Sequence, residues 1–305
     1  MSFVVKAVGI LQQPASGVLL WNNTSVRNMA TLKDISRRLK SVKSIQKITK
    51  SMKMVSAAKF TKAERELRAA RSYGLSAKSF YDHLEVEKSE GPEKHVLIAA
   101  TSDRGLCGAA NSSIIKNIRT QLNDPKQNLE GTKVIAIGDK SRAGLARTHS
   151  SNILLSINEI GKRSLVFGDA AAIAQQLISS GFEFDSADIV YNKFKSAIAY
   201  TTTRQKILSN EAIANSKSIQ VYDSIDADVL RSFQEYNLAS VLYYTMKENA
   251  TSEQSSRMTA MDNATKNAGE LINKLTTYYN RTRQAVITTE LIEIISGAAA
   301  LEQKH

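Results

Sequence analysis

The chain has one cysteine, Cys107, and four histidines scattered along its 305 residues. A lone thiol cannot build a disulfide framework, and no Cys/His cluster has the spacing of metal ligands, so neither a metal nor a cofactor is expected. Proline is almost as scarce, with three residues in all. None falls between Ala227 and Leu301, so that stretch can run as one helix of about 75 residues, on the order of 110 Å long. A rod of that length cannot hide its apolar stripe within a compact fold of its own chain. It needs other surfaces.

Acidic residues are absent from positions 1–29, where Lys6, Arg27, several Ser/Thr and apolar patches broken by Pro14 and Gly17 make up the composition of an organellar transit peptide. A secretory signal would want a continuous apolar run, which Gln12, Gln13 and Pro14 interrupt. Mitochondrial import with cleavage near Met29 is therefore the reading.

What the chain has in excess is positive charge, formally +12, against 42% hydrophobic residues that suffice for a real core. From Thr31 to Arg71 thirteen Lys or Arg face Asp34, Glu64 and Glu66, while the rest of the chain is nearly balanced. One segment holds the excess. Thr31 with Asp34 resembles a helix capping box, and Leu32, Ile35, Leu39, Val42, Ile45, Ile48, Met52 and Val55 form an apolar stripe. The opposite face is a basic ladder that includes Lys43, Lys47, Lys50 and Lys53. The helix is expected to reach about Lys88, with Gly74 a weak point and Gly91-Pro92 the stop.

In the C-terminal rod, Met258, Met261, Thr265, Ala268, Ile272, Leu275, Tyr279, Thr282 and Val286 recur at alternating steps of three and four, a coiled-coil seam. From Ala285 to Leu301 the helix is apolar nearly all round, with Glu290 and Glu293 its only charges. A membrane span needs about 20 mostly uncharged residues, so an enclosing protein sleeve fits better and no direct membrane span is expected. Two long helices at opposite ends of one chain invite antiparallel pairing.

Between them, 95–101, 133–137, 153–157, 188–194 and 197–203 suit strands, the last two as a hairpin, and 111–122 and 169–180 suit helices. The fold class is thus α/β: a long antiparallel two-helix coiled coil plus a Rossmann-like domain. The divisions are a leader at 1–29, an N-terminal coiled-coil helix at 30–90, an α/β domain at 91–225 and a C-terminal coiled-coil helix at 226–305.

Two glycine turns invite a phosphate reading. Gly105-Leu-Cys-Gly108 lacks the spacing of a dinucleotide fingerprint, and Gly138-Asp-Lys-Ser141 lacks that of a P-loop, so both read as tight strand-to-helix turns. Asp103 and Arg104 read as a local ion pair, and no base recommends Cys107 as a nucleophile. The basic ladder admits a solvated face, a nucleic-acid partner or an acidic protein partner, and the apolar residues interleaved with it favour the last.

At Ile287-Thr-Thr-Glu290, Glu293 and Gly297-Ala-Ala-Ala300 the chain resembles the gamma subunits of rotary ATP synthases. The resemblance extends to Ala30-Thr-Leu-Lys-Asp-Ile35, Lys47-Ile-Thr-Lys-Ser-Met-Lys-Met54, Ser102-Asp-Arg-Gly-Leu-Cys-Gly108 and Met258-Thr-Ala-Met-Asp-Asn-Ala264. No regulatory cysteine-bearing insertion is present, as in the mitochondrial branch. The resemblance implies a non-catalytic shaft on the matrix side of the inner membrane. It would turn inside a ring of alpha and beta subunits, with delta and epsilon subunits and a membrane c-ring at its foot. It also implies that Met52, Arg257, Arg283, Gln284 and Thr288 face the beta subunits and that the basic ladder meets acidic loops of the ring. A coiled-coil nucleic-acid binder is the alternative, and it would need salt-sensitive binding by residues 31–71.

Overall fold

A computed structural model of the chain describes residues 31–84, 94–124, 128–161, 163–214, 216 and 226–302. The expected leader and the Gly91-Pro92 stop lie outside these residues. The first helix, α1, spans Leu32–Asp82. Its start is fixed by Thr31, whose hydroxyl accepts from the Asp34 N–H at 3.3 Å and donates to the Asp34 carboxylate at 2.7 Å. It ends at Asp82 rather than near residue 88, with the His83 N–H bonded to the Ser79 carbonyl.

The last helix, α6, spans Ala227–Glu302 and is 76 residues long. It runs antiparallel to α1: the Thr265 hydroxyl meets Thr49 at 2.8 Å, Asp262 meets Lys53 at 2.6 Å and Lys247 meets Glu66 at 2.7 Å. Buried positions on α1 recur in steps of seven residues, at Ile35, Val42, Thr49 and Ser56, then past the half-buried Ala63 at Ala70, and again at Leu67, Gly74 and Tyr81. That is the 3.5-residue period of a coiled coil. On α6 the seam runs from Met258 to Thr282, and its last expected member, Val286, is 37% exposed because α1 begins at Leu32 and leaves it no partner among the described residues.

Two expectations about α1 change. Ile45, Ile48 and Val55 are 49%, 57% and 57% exposed, because the seven-residue register places Gln46, Thr49, Lys53 and Ser56 in the seam at that height. The hydroxyl pair and the Lys53–Asp262 ion pair satisfy Thr49 and Lys53. Gly74 is also no weak point. A Cβ there would lie 2.2 to 2.4 Å from the Tyr244 side chain, so glycine is what lets the two helices approach.

The middle of the chain folds into a five-stranded sheet of order β3-β2-β1-β4-β5. In chain order come β1 (His95–Ala100), α2 (Ala110–Leu122), β2 (Thr132–Ile137), α3 (Asp139–Leu145) and β3 (Ile153–Ile157). They are followed by α4 (Phe167–Ser179), β4 (Ser186–Ser196), β5 (Ala199–Leu208) and the short α5 (Asn210–Ala214). The first four strands are parallel, and β5 returns antiparallel on β4 as the expected hairpin. The two-residue period of the strands sorts the core. Leu97, Ala99, Val134 and Val190 pack on one face against Ile114, Ile118 and Leu145 of α2 and α3. Val96, Ile98, Ile135 and Ile189 pack on the other against α4 and the Leu238–Met246 part of α6. The long helix is therefore also a layer of the α/β domain.

Candidate functional site

The two glycine turns serve structure. In the loop before α2, Leu106 and Gly108 adopt positive φ, 61° and 59°, which turns backbone carbonyls toward α6. The Gly105 carbonyl accepts from Arg257, and the Cys107 carbonyl accepts from the Ser256 hydroxyl at 2.6 Å. A phosphate cradle needs N–H groups there instead. At Gly138 a Cβ would stand 2.8 Å from the Thr101 carbonyl, and the Asp139 N–H at the start of α3 donates to the Asp103 carboxylate at 2.9 Å. Asp103 thus closes the helix start of its own chain rather than pairing with Arg104. Cys107 is 3% exposed; burial, reinforced by the Glu253 charge, pushes its thiol pKa up, the reverse of what a nucleophile needs.

The more unusual feature is α6 between Tyr244 and Arg257. Thr245, Lys247, Glu248, Asn249, Thr251, Ser252, Glu253, Ser255 and Arg257 are all buried, although buried polar side chains must find partners. Thr245 and Thr251 find them in carbonyls of α6 itself and Glu253 in Arg257, while the others reach the rest of the chain. Arg71 of α1 donates to Glu248 from Nε and Nη2 at 3.2 and 3.1 Å, and Phe194 N–H of β4 donates to it at 2.8 Å. Lys247 bonds Glu66, which also accepts from Ser164 at 2.6 Å. Burial alone would raise the Glu66 pKa, but the bonds from Lys247 and Ser164 and the charges of Lys247 and Lys62 outweigh it and hold the carboxyl below its ordinary value. Burial and the neighbouring Glu248 charge push the Tyr244 phenol well up.

Beyond Thr282 the helix reverses character. Val286, Ile287, Leu291, Ile292, Ile294, Ile295 and Leu301 are 37% to 71% exposed. This tip extends for about 30 Å past the start of α1. Among the described residues no helix is long and apolar enough to cross a membrane, and no group of three or more His, Cys, Asp or Glu side chains could hold a metal.

The residues singled out from the sequence divide between these regions. Arg283, Gln284 and Thr288 stand together, exposed on the tip, where the Thr288 hydroxyl bonds the Gln284 carbonyl of its own helix. Met52 is half-buried some 30 Å lower on the shaft. Lys43, Lys47 and Lys50 are exposed there, and Lys53 is tied to Asp262. Arg257 is different: it is 6% exposed, with its guanidinium held by Glu253 and the Gly105 carbonyl. It faces its own chain, because the loop before α2 supplies an acceptor that helix periodicity could not reveal. Sequence reasoning missed Arg71, Glu66, Lys247 and Glu248. The available signal was the polar run from Thr245 to Arg257 in a helix that had to pack against something.

The sequence model of the family described as ATP synthase matches residues 31–301. The Rattus norvegicus "ATP synthase F(1) complex subunit gamma, mitochondrial" is 53% identical over 273 residues, covering 90% of this chain and all of that protein. The Drosophila melanogaster "ATP synthase subunit gamma, mitochondrial" is 56% identical over 276 residues, 90% of this chain and 92% of the relative. Among solved structures, a chain of the Tetrahymena thermophila mitochondrial ATP synthase central stalk and c-ring superposes with a TM-score of 0.60 at 30% identity, covering 71% of this chain and 99% of that one. A chain of the Euglena gracilis mitochondrial ATP synthase superposes with a TM-score of 0.73 at 21% identity, covering 88% and 94%, and so shares the fold. The nucleic-acid reading of the basic helix finds no support in these relatives. The chain belongs to the ATP synthase gamma-subunit family.

Proposed function

We propose that the chain is the central-stalk rotor shaft of a mitochondrial ATP synthase. It couples rotation of a membrane c-ring to conformational changes in catalytic beta subunits and catalyses nothing itself. The observation that carries this reading is the free tip of α6, apolar on all sides and exposed, on a helix whose base is built into an α/β domain. Such a tip needs a sleeve, and a ring of alpha and beta subunits supplies one. The α/β domain is the foot, next to delta and epsilon subunits and the c-ring, on the matrix side of the inner membrane. Residues 1–29 act as the import leader and are removed. Met52, Arg283, Gln284 and Thr288 face the ring, with Lys43, Lys47 and Lys50 toward its acidic loops. Arg257 is left out because its donors are engaged within the chain.

The test is native electrophoresis of mitochondrial extract, followed by in-gel ATPase staining and sequencing of the N-terminus of this chain. Comigration with ATPase activity and a start near residue 30 are expected. Migration apart from the activity would refute the shaft, and a start at Met1 would refute the leader.

A further inference from the structure

We infer that Glu248 is the positioning residue that makes α1, α6 and the α/β domain turn as one body, so that torque passes between foot and shaft through its carboxylate. The inference rests on the shaft reading above and goes below it, to the joint that a shaft of this construction requires.

The joint lies where β4 outruns its neighbour. Strand β1 pairs with β4 from Ser186 to Val190 and then stops, while β4 continues to Ser196. Past Val190, the side of β4 that β1 served has no strand beside it among the described residues, and side chains of α6 take its place. Asn249 accepts from the Asn192 N–H at 3.4 Å, Ser252 donates to the Asn192 carbonyl at 2.9 Å, Glu248 accepts from the Phe194 N–H at 2.8 Å and Ser255 donates to the Ala197 carbonyl. The helix is thus hydrogen-bonded to the strand as another strand would be. Rotation of α6 against the domain must break this row.

Glu248 is the member of the row that also reaches α1. Its carboxylate is fully buried and collects donors from three elements: Arg71 of α1, the Phe194 backbone of β4 and, at 2.9 Å, the Tyr244 hydroxyl one turn back on α6. Arg71 closes the circuit by donating to the Phe194 carbonyl at 3.3 Å. Phe194 is therefore gripped at its N–H by one long helix and at its carbonyl by the other. The neutral amide of Asn249 and hydroxyl of Ser252 each lose an uncharged hydrogen bond if they part from Asn192. A buried carboxylate that loses its donors pays the cost of an uncompensated charge. That cost makes the joint stiff rather than merely stable, since a buried ion pair adds little net stability over apolar residues of the same size.

The experiment uses the assembled synthase carrying Glu248→Gln, with the alpha/beta ring immobilised and an optical probe on the α/β domain. Angular fluctuation of the domain in a nucleotide-locked state is expected to rise several-fold. Proton-driven ATP synthesis should fall several-fold at low driving force and little at high driving force, while unloaded ATP hydrolysis stays near wild type. Leu145→Ala, which opens a cavity in the core under α3 away from the joint, serves as the stability control: it should lower the melting temperature without raising the fluctuation. If Glu248→Gln does not assemble, Tyr244→Phe removes one of the donors and should raise the fluctuation in the same direction. Unchanged fluctuation in the variant that assembles, or an equal rise in Leu145→Ala, would overturn the inference. A wild-type complex whose domain does not rotate against the ring would overturn the shaft reading and this inference with it.

Discussion

Within α6, the stretch from Tyr244 to Arg257 is largely polar and buried, whereas the stretch from Val286 to Leu301 is largely apolar and exposed. Each inverts the usual relation between polarity and burial. The polar stretch finds most of its partners within its own chain: Glu248, Ser252 and Ser256 bond α1, β4 and the loop before α2, and the Thr245 and Thr251 hydroxyls bond carbonyls of α6 itself. The apolar stretch has no such partners among the described residues, and on the proposed reading it gains its stabilisation when the subunit ring covers it. One helix therefore carries a finished interface and an unfinished one, about 40 residues apart, or on the order of 60 Å. A foot that must not slip on its shaft calls for directional bonds. If the tip turns in a sleeve, as proposed, it is better served by smooth apolar contact, which is non-directional.

The largest effects on the chain should come from spoiling the packing of α1 on α6, at Gly74 as at Leu67. Gly74→Val places a branched side chain where Tyr244 already stands, and overpacking of this kind costs about 3 kcal/mol. Chemical denaturation of the purified chain should show that loss, and a loss below about 1 kcal/mol would mean that the helices can part freely at this crossing.

The length of α6 was legible because proline is absent from it, and β3 and the seam from Met258 to Thr282 were legible because local period decides them. What was not legible depends on partners distant in sequence. Ile45, Ile48 and Val55 form as good an apolar stripe as the true seam, and only the seven-residue register shared with α6 turns them outward. Arg257 and Arg283 look alike in sequence, yet a carbonyl 152 residues away draws the first inward. The row of α6 side chains along β4 could not be read at all, since it exists only because β1 ends earlier than β4.

Arg257 and Arg283 therefore offer a matched pair for sharpening the comparison. Lysine at 257 keeps the charge but loses the fork that serves Glu253 and the Gly105 carbonyl together. We expect Arg257→Lys to destabilise the chain by about 1 to 2 kcal/mol and Arg283→Lys by less than about 0.5. The order should reverse when loaded turnover of the assembled complex is measured, because the exposed guanidinium is the one free to reach a partner. Equal losses of chain stability would erase the distinction between the two regions.

Acid should loosen the shaft before it affects the tip. Glu66 and Asp262 both tie α1 to α6, and both are held below the ordinary carboxylate range. In Glu66 the bonds from Lys247 and Ser164 and nearby cationic charge overcome burial; in Asp262 the bonds from Lys53 and Lys266 dominate. A carboxyl with a depressed folded pKa contributes stability above its unfolded pKa, and that contribution is lost as pH falls through the folded value. Amide protection factors along the seam, corrected for the intrinsic exchange rate, should therefore fall below about pH 4. In Glu66→Gln that acid dependence should be weaker, and an unaltered dependence would remove Glu66 from the account.

The smallest effect on the chain itself should come from the tip. Leu291 and Ile295 are 56% and 59% exposed and lie one turn apart, so serine at both removes no contact with the rest of the described chain. The cost to the isolated chain is then only the difference in helix propensity, within about 0.5 kcal/mol per site. At Leu67, 2% exposed in the seam, truncation to alanine should instead cost about 2 to 5 kcal/mol. The tip substitutions matter to whatever covers it, since enclosing each aliphatic side chain is worth about 1.5 to 3 kcal/mol. Light scattering of the purified double variant should therefore show less self-association at unchanged melting temperature, while titration with alpha and beta subunits shows weaker assembly. A lowered melting temperature would mean that the tip folds back on its own chain. Undiminished assembly would mean that the sleeve grips the shaft below Leu291, along the stripe of Ile45, Ile48 and Val55 that the coiled coil leaves uncovered.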